Sequence, residues 1–136
     1  WPFWSKEGLY TAWIAISNVS NQSGPVRFLR GSNKLKKIQG MDFFNQDIKN
    51  QEAKLKKIKK NKDVINAILD IGEVSVHSSQ TYHSSLGNKE KKPRIGMVVH
   101  FRTDKSKQIK LKGKENDYLD QIKDTSIAPI IYQKKN

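Results

Sequence analysis

Residues 9–19, Leu-Tyr-Thr-Ala-Trp-Ile-Ala-Ile-Ser-Asn-Val, are aliphatic, aromatic and β-branched, with polar positions entering only towards the end. That pattern predicts a largely buried strand. Asn21-Gln22-Ser23-Gly24-Pro25 breaks it as a turn, and Val26 to Leu29 predicts a second short strand closed by Gly31-Ser32-Asn33. From about 45 to 66 the chain is rich in Lys, Gln, Glu and Ala, with Ile48, Ala53, Leu55 and Ile58 as its apolar minority. This predicts a surface helix with a weak apolar stripe, or a mobile insertion. Ile68 to Ile71 leads into Gly72, after which Val74 and Val76 alternate with Ser75 and His77 at the period of a strand. Ser84 to Lys92 predicts a loop, and Pro93 precedes a further strand from Arg94 to Phe101. Residues 105–116 predict a Lys-rich loop, Asp117 to Asp124 a short helix, and Ile127 to Tyr132 a partly buried tail. Short strands joined by Gly and Pro turns predict a mainly β domain, either a jelly roll or a barrel.

At 136 residues the chain has the length of one domain. It contains no cysteine, which excludes disulfides and thiolate metal sites and fits a reducing cytoplasm. No apolar run reaches the roughly 18–20 residues of a membrane-spanning helix, so no membrane insertion is expected. The formal net charge of +13 raises nucleic acid as a partner. The lysines concentrate in Lys49 to Lys62 and Lys105 to Lys114, where few aromatics are available to stack on bases. A solvated basic surface is therefore the expectation, and nucleic acid is not the expected partner.

The histidines are His77, His83 and His100, and none is followed two positions later by Asp or Glu. A non-haem iron site commonly takes two His and one carboxylate, so no short motif here completes one.

The surroundings carry more information. Gly72-Glu73-Val74-Ser75-Val76-His77, then Tyr82-His83-Ser84-Ser85-Leu86-Gly87-Asn88, then Pro93-Arg94 resembles the pattern of the phytanoyl-CoA dioxygenase family. In that pattern a Gly-Asp strand leads to a His-Gly-Ser-Gly-x-Asn loop, and an Arg opens the next strand. His83 and Arg94 are eleven positions apart, as in the family. Thr11-Ala12-Trp13-Ile14-Ala15-Ile16 resembles the family's T-x-W-I-A-L strand. Ser23-Gly24 with Arg30-Gly31-Ser32-Asn33-Lys34 resembles its N-G … P-G-S-H-K hairpin. Asp117-Tyr118-Leu119 and Ala128-Pro129-Ile130-Ile131-Tyr132 are similar to the tail of bacterial members.

The resemblance implies a double-stranded β-helix (a cupin-like jelly roll) that uses Fe(II), 2-oxoglutarate and O2 to oxidise a small organic substrate, with ascorbate a candidate accessory. It implies His83 as an iron ligand and Arg94 as the clamp on the distal carboxylate of 2-oxoglutarate, where a planar guanidinium offers a fork that Lys lacks. Ser85 would donate its hydroxyl to the same carboxylate, and Trp13 would line the cosubstrate pocket. His77 is a pocket-wall or plain packing residue, and His100 is structural. Tyr10 and Tyr82 flank motif positions without an evident chemical task.

Some positions depart from the pattern. Glu73 replaces Asp, Asn33 replaces the hairpin His, and Ser84 and Leu86 stand where the loop has Gly, a residue freer to take positive φ. The family's His-x-Asp pair lies just before the stretch matching Trp1-Pro2-Phe3. The chain therefore reads as the C-terminal part (1–136) of one jelly-roll domain, N-terminally truncated and inactive by itself. Three rivals are a halogenase of the same superfamily, with chloride replacing the Asp, a non-catalytic jelly roll, and a basic nucleic-acid-binding module. Substrate and oligomeric state are not legible.

Overall fold

The structure is a computed structural model that describes residues 4–35, 47, 49–50, 53–54, 63–109 and 124–134. Its strands are β1 (Leu9–Ala15), β2 (Val26–Leu29), β3 (Val64–Asn66), β4 (Val74–Ser78), β5 (His83–Ser85) and β6 (Gly96–Arg102), with a 3-10 turn at Ser32–Lys34. They form two antiparallel three-stranded sheets of order β4-β1-β6 and β3-β2-β5. The chain passes repeatedly from one sheet to the other, which is the winding of a jelly roll. The mainly β expectation is therefore met.

Register decides what the sheets face. In the first sheet Thr11 sits opposite His77 and His100, and Trp13 opposite Ser75 and Val98. Side chains alternate along a strand, so these residues share one face with Leu9 and Ala15. Tyr10, Ala12 and Ile14 share the other face with Val74, Val76, Met97, Val99 and Phe101. In the second sheet Phe28 is opposite His83 and Ile65, and Val26 is opposite Ser85. The Phe28 ring lies 4.8 Å from that of His77, so the His77 face and the His83 face meet between the sheets.

The core is thin. Leu9, Ala15, Val19 and Val26 are its buried apolar residues among those described. Two joints hold the sheets in place around it. Ser20 and Ser23 exchange backbone and hydroxyl hydrogen bonds across the turn after β1. Gly24 follows at φ +71°, a conformation that L side chains rarely adopt, and a Cβ there would collide with the Leu86 carbonyl. The second joint is the segment before β6, where Ile16 and Ser17 donate their N–H groups to the Ile95 carbonyl and Ile95 N–H donates to Ser17 Oγ.

Several expectations are corrected. The first strand stops at Ala15, and its middle is half-buried rather than buried, because one face borders a cleft and the other is bare. Val64–Asn66, placed in the Lys-rich insertion, is strand β3 paired to β2; most of that insertion lies outside the described residues. Ser84 and Ser85 belong to β5 rather than to a loop, and β6 begins at Gly96 rather than Arg94. The tail is not partly buried: Ile127, Ile130, Ile131 and Tyr132 are exposed. Its described hydrogen bonds are local, to Asp124, and pair it with no strand. The expected helix at 117–124 and most of the loop at 105–116 lie outside the described residues.

Candidate active site

His83 opens β5 and is exposed towards the cleft. Its Nδ1 lies 2.9 Å from the Thr81 carbonyl oxygen. A carbonyl only accepts, so in the neutral ring Nδ1 carries the proton and Nε2 is the nitrogen with the lone pair. A histidine fixed in this way is prepared to ligate a metal through Nε2. Ser85, two residues on, shares its face of β5.

Arg94 comes from the segment before β6, and its guanidinium carbon lies 5.2 Å from the centre of the Trp13 ring. The indole in turn needs room: a Cβ at Gly96 would overlap the Trp13 ring, so the glycine admits it. One guanidinium nitrogen of Arg94, NH1, is buried and has no hydrogen-bond partner among the described residues. A buried N–H donor left unpaired in this way is destabilising unless an anion or other acceptor meets it.

His77, expected to be a pocket-wall or packing residue, and His100, expected to be structural, lie on the same face of the cleft. The His77 ring lies 4.7 Å from His83 and packs on Phe28, whose ring is also 6.2 Å from His83. Burial first, and then the neighbouring His83 and His100 rings, push the pKa of His77 down to about 4, so it is a neutral imidazole near pH 7. Its Nδ1 and the Ser75 hydroxyl are both buried without a hydrogen-bond partner among the described residues. His100 Nδ1 and Thr11 Oγ1 lie 2.9 Å apart across β1 and β6. Tyr10 stacks on Phe101 at 5.6 Å on the opposite face of the sheet, away from the cleft.

The structure thus brings Trp13 to Arg94 and His77 to His83. Sequence reasoning gave Ser75 no role; its sign was the period-2 alternation that sets it on the same face as His77. Among the described residues, no group of three His, Cys, Asp or Glu side chains is arranged to hold a metal ion. Nor is any described helix long and apolar enough to cross a membrane.

Residues 1–96, from the N-terminal aromatic stretch through Arg94, match the family model described as phytanoyl-CoA dioxygenase. The chain belongs to the phytanoyl-CoA dioxygenase family. The family's cofactors are Fe(II) and 2-oxoglutarate, and the matched span contains His83, Ser85, Arg94 and Trp13. No curated protein matches the chain by sequence. Among solved structures, this family member is similar to the epimerase SnoN in complex with Fe3+, α-ketoglutarate and nogalamycin RO (TM-score 0.60, 19% identity, 85% of this chain and 46% of that one). Another structure of SnoN, described as a non-heme α-ketoglutarate-dependent epimerase from nogalamycin biosynthesis, gives TM-score 0.58 at 18% identity, over 85% of this chain and 43% of that one. A non-heme monooxygenase, the ThoJ-Ni complex, gives TM-score 0.53 at 19% identity, over 77% of this chain and 35% of that one. At these identities the likeness is one of fold. The chain covers less than half the length of each of these structures.

Proposed function

We propose that this chain carries the cosubstrate half of an Fe(II)- and 2-oxoglutarate-dependent oxygenase that hydroxylates a small organic substrate. The observation that carries the reading is Arg94, a cation turned into the cleft, packed on an aromatic ring and left with a buried, unpaired N–H donor. A carboxylate is the partner whose geometry suits a guanidinium fork. In this reading Arg94 holds the distal carboxylate of 2-oxoglutarate, Ser85 donates its hydroxyl to it, and Trp13 forms the wall. His83 would hold iron through Nε2, the nitrogen left bare by the bond to Thr81. Iron and 2-oxoglutarate supply the activation of O2 and the oxidation of the substrate. The chain's part is to fix His83's tautomer, neutralise the cosubstrate's charge and keep water from Arg94.

His83 is the one iron ligand this reading draws from the described residues, so turnover needs further ligands. The chain alone is expected to bind iron weakly and not to decarboxylate 2-oxoglutarate. The family membership supports this reading, as do the fold likenesses to an α-ketoglutarate-dependent epimerase and a non-heme monooxygenase. The relatives' differing reactions give no reason to assign a particular substrate.

The test is calorimetric titration of the chain with 2-oxoglutarate, beside Arg94→Ala and Arg94→Lys. Removing one partner of a buried charge pair costs about 2–5 kcal/mol, or roughly 30- to 4,000-fold in Kd. Arg94→Lys should recover little, because an ammonium cannot reproduce the fork. Unchanged affinity in Arg94→Ala would remove the basis of the reading.

A further inference from the structure

The unpaired polar atoms of the cleft do not stop at Arg94. Along β4, Ser75 and His77 are two residues apart on the inner face, separated by about 6.6 Å of strand. Ser75 is directly opposite Trp13, the ring on which Arg94 packs. His77 is 4.7 Å, ring to ring, from His83. The wall from Ser75 to His77 therefore runs from the carboxylate clamp to the metal ligand, a span comparable to that of a five-carbon dicarboxylate.

Each residue turns a buried polar atom into this wall with no partner among the described residues: Ser75 Oγ and His77 Nδ1. On the same rung as His77, across β1, Thr11 and His100 satisfy one another at 2.9 Å. The sheet is thus able to pair its polar side chains internally, and does so between β1 and β6, whereas the polar atoms of Ser75 and His77 on β4 stay unpaired among the described residues. A lone buried polar group is destabilising if nothing meets it, and an apolar residue in its place would remove that cost. Half-buried strand positions facing aromatic rings suit Val or Phe well.

We propose that Ser75 and His77 are positioning residues of the 2-oxoglutarate subsite. The Ser75 hydroxyl and the His77 Nδ1–H donate hydrogen bonds to oxygen atoms of the cosubstrate along its length between Arg94 and His83. The proposal rests on the reading above and adds a second recognition surface, on β4, to the one supplied by Arg94.

The experiment is 2-oxoglutarate binding to the whole chain, followed calorimetrically and by the 15N signal of the His77 ring. Ser75→Ala and His77→Phe should each raise Kd roughly tenfold, the usual scale for one hydrogen bond to a charged ligand. Ser75→Thr and His77→Asn, which keep a donor near the same place, should stay within about threefold of the parent on that scale. The His77 Nδ1 resonance should shift on titration with 2-oxoglutarate and not with a monocarboxylate such as acetate. If His77→Phe fails to fold, Ser75→Ala and the nitrogen shift of the parent chain still decide. An unchanged Kd in Ser75→Ala, with a His77 signal that does not move, overturns the proposal. Arg94→Ala separates this outcome from failure of the broader reading. Weakened binding there with no effect at Ser75 and His77 removes only the β4 subsite. Weakened binding at Ser75 and His77 with none at Arg94 leaves the subsite and removes the clamp.

Discussion

The two faces of the β4-β1-β6 sheet invert the usual arrangement. An antiparallel sheet with one solvated side normally turns apolar residues inward and polar ones outward. Here the inward face carries Thr11, Trp13, Ser75, His77 and His100 beside Leu9, Ala15 and Val98, while the outward face carries Ile14, Val74, Val76, Met97 and Val99. Val74, Val76, Met97 and Val99 are about half exposed, from 41% to 59%. The inner face holds the unpaired polar atoms, and the outer face is the one built like a core. The space between the sheets is therefore a site before it is a core. Its packing energy comes from a few aromatic contacts and the buried residues at the strand ends.

Substitutions on the two faces should separate sharply. The largest effect is expected at Phe28, which packs on both His77 and His83. Full burial would make Phe→Ala cost about 3–5 kcal/mol; half-burial reduces Phe28→Ala to about 2–3 kcal/mol, readable from chemical denaturation. Next is Gly96→Ala, whose new methyl meets the Trp13 indole. Overpacking of this kind costs about 1–3 kcal/mol and should also blue-shift or quench the Trp13 emission. A loss under 0.5 kcal/mol would show that Trp13 is not held against β6.

Ser84→Gly comes third. The family pattern has glycine there, but Ser84 lies in β5 opposite Arg27, where glycine's extra backbone freedom is a cost. The change should destabilise by about 0.5–1 kcal/mol, and stabilisation would mean that the strand assignment of β5 fails. The smallest effect belongs to the outward face. Val76, 59% exposed, should tolerate Thr within about 0.5 kcal/mol. A loss above 1 kcal/mol would show that something covers this face and would erase the contrast.

Much of this was legible in the chain itself. The His83 to Arg94 interval and the Thr11-Ala12-Trp13 strand pointed to the family, and the Val74 to His77 alternation placed β4. What escaped has a common physical cause, since it depends on which strand lies across the cleft. Nothing in local spacing tells that His77 reaches His83 and Phe28, or that Trp13 requires Gly96, because register and sheet-to-sheet contact join positions far apart in sequence. Val64–Asn66 was hidden because the Lys-rich composition before it obscured three strand residues. The tail from Ile127 to Tyr132 misled because apolar composition suggests burial only where a surface is there to receive it. Among the described residues, those apolar side chains remain exposed.

The central claim is that half-buried Arg94, with one guanidinium nitrogen buried and unpaired among the described residues, is kept for a ligand rather than for the fold. Arg94→Met tests it by measuring thermal unfolding and 2-oxoglutarate affinity on the same sample, since methionine keeps much of the volume and removes the charge. Replacing a half-buried cation that leaves a buried N–H donor unpaired with an apolar side chain should leave the ligand-free Tm unchanged or higher, while binding is lost. A Tm that falls by the equivalent of about 3 kcal/mol or more, with 2-oxoglutarate affinity intact, would mean that Arg94 is a structural cation and that the cleft is not a cosubstrate site.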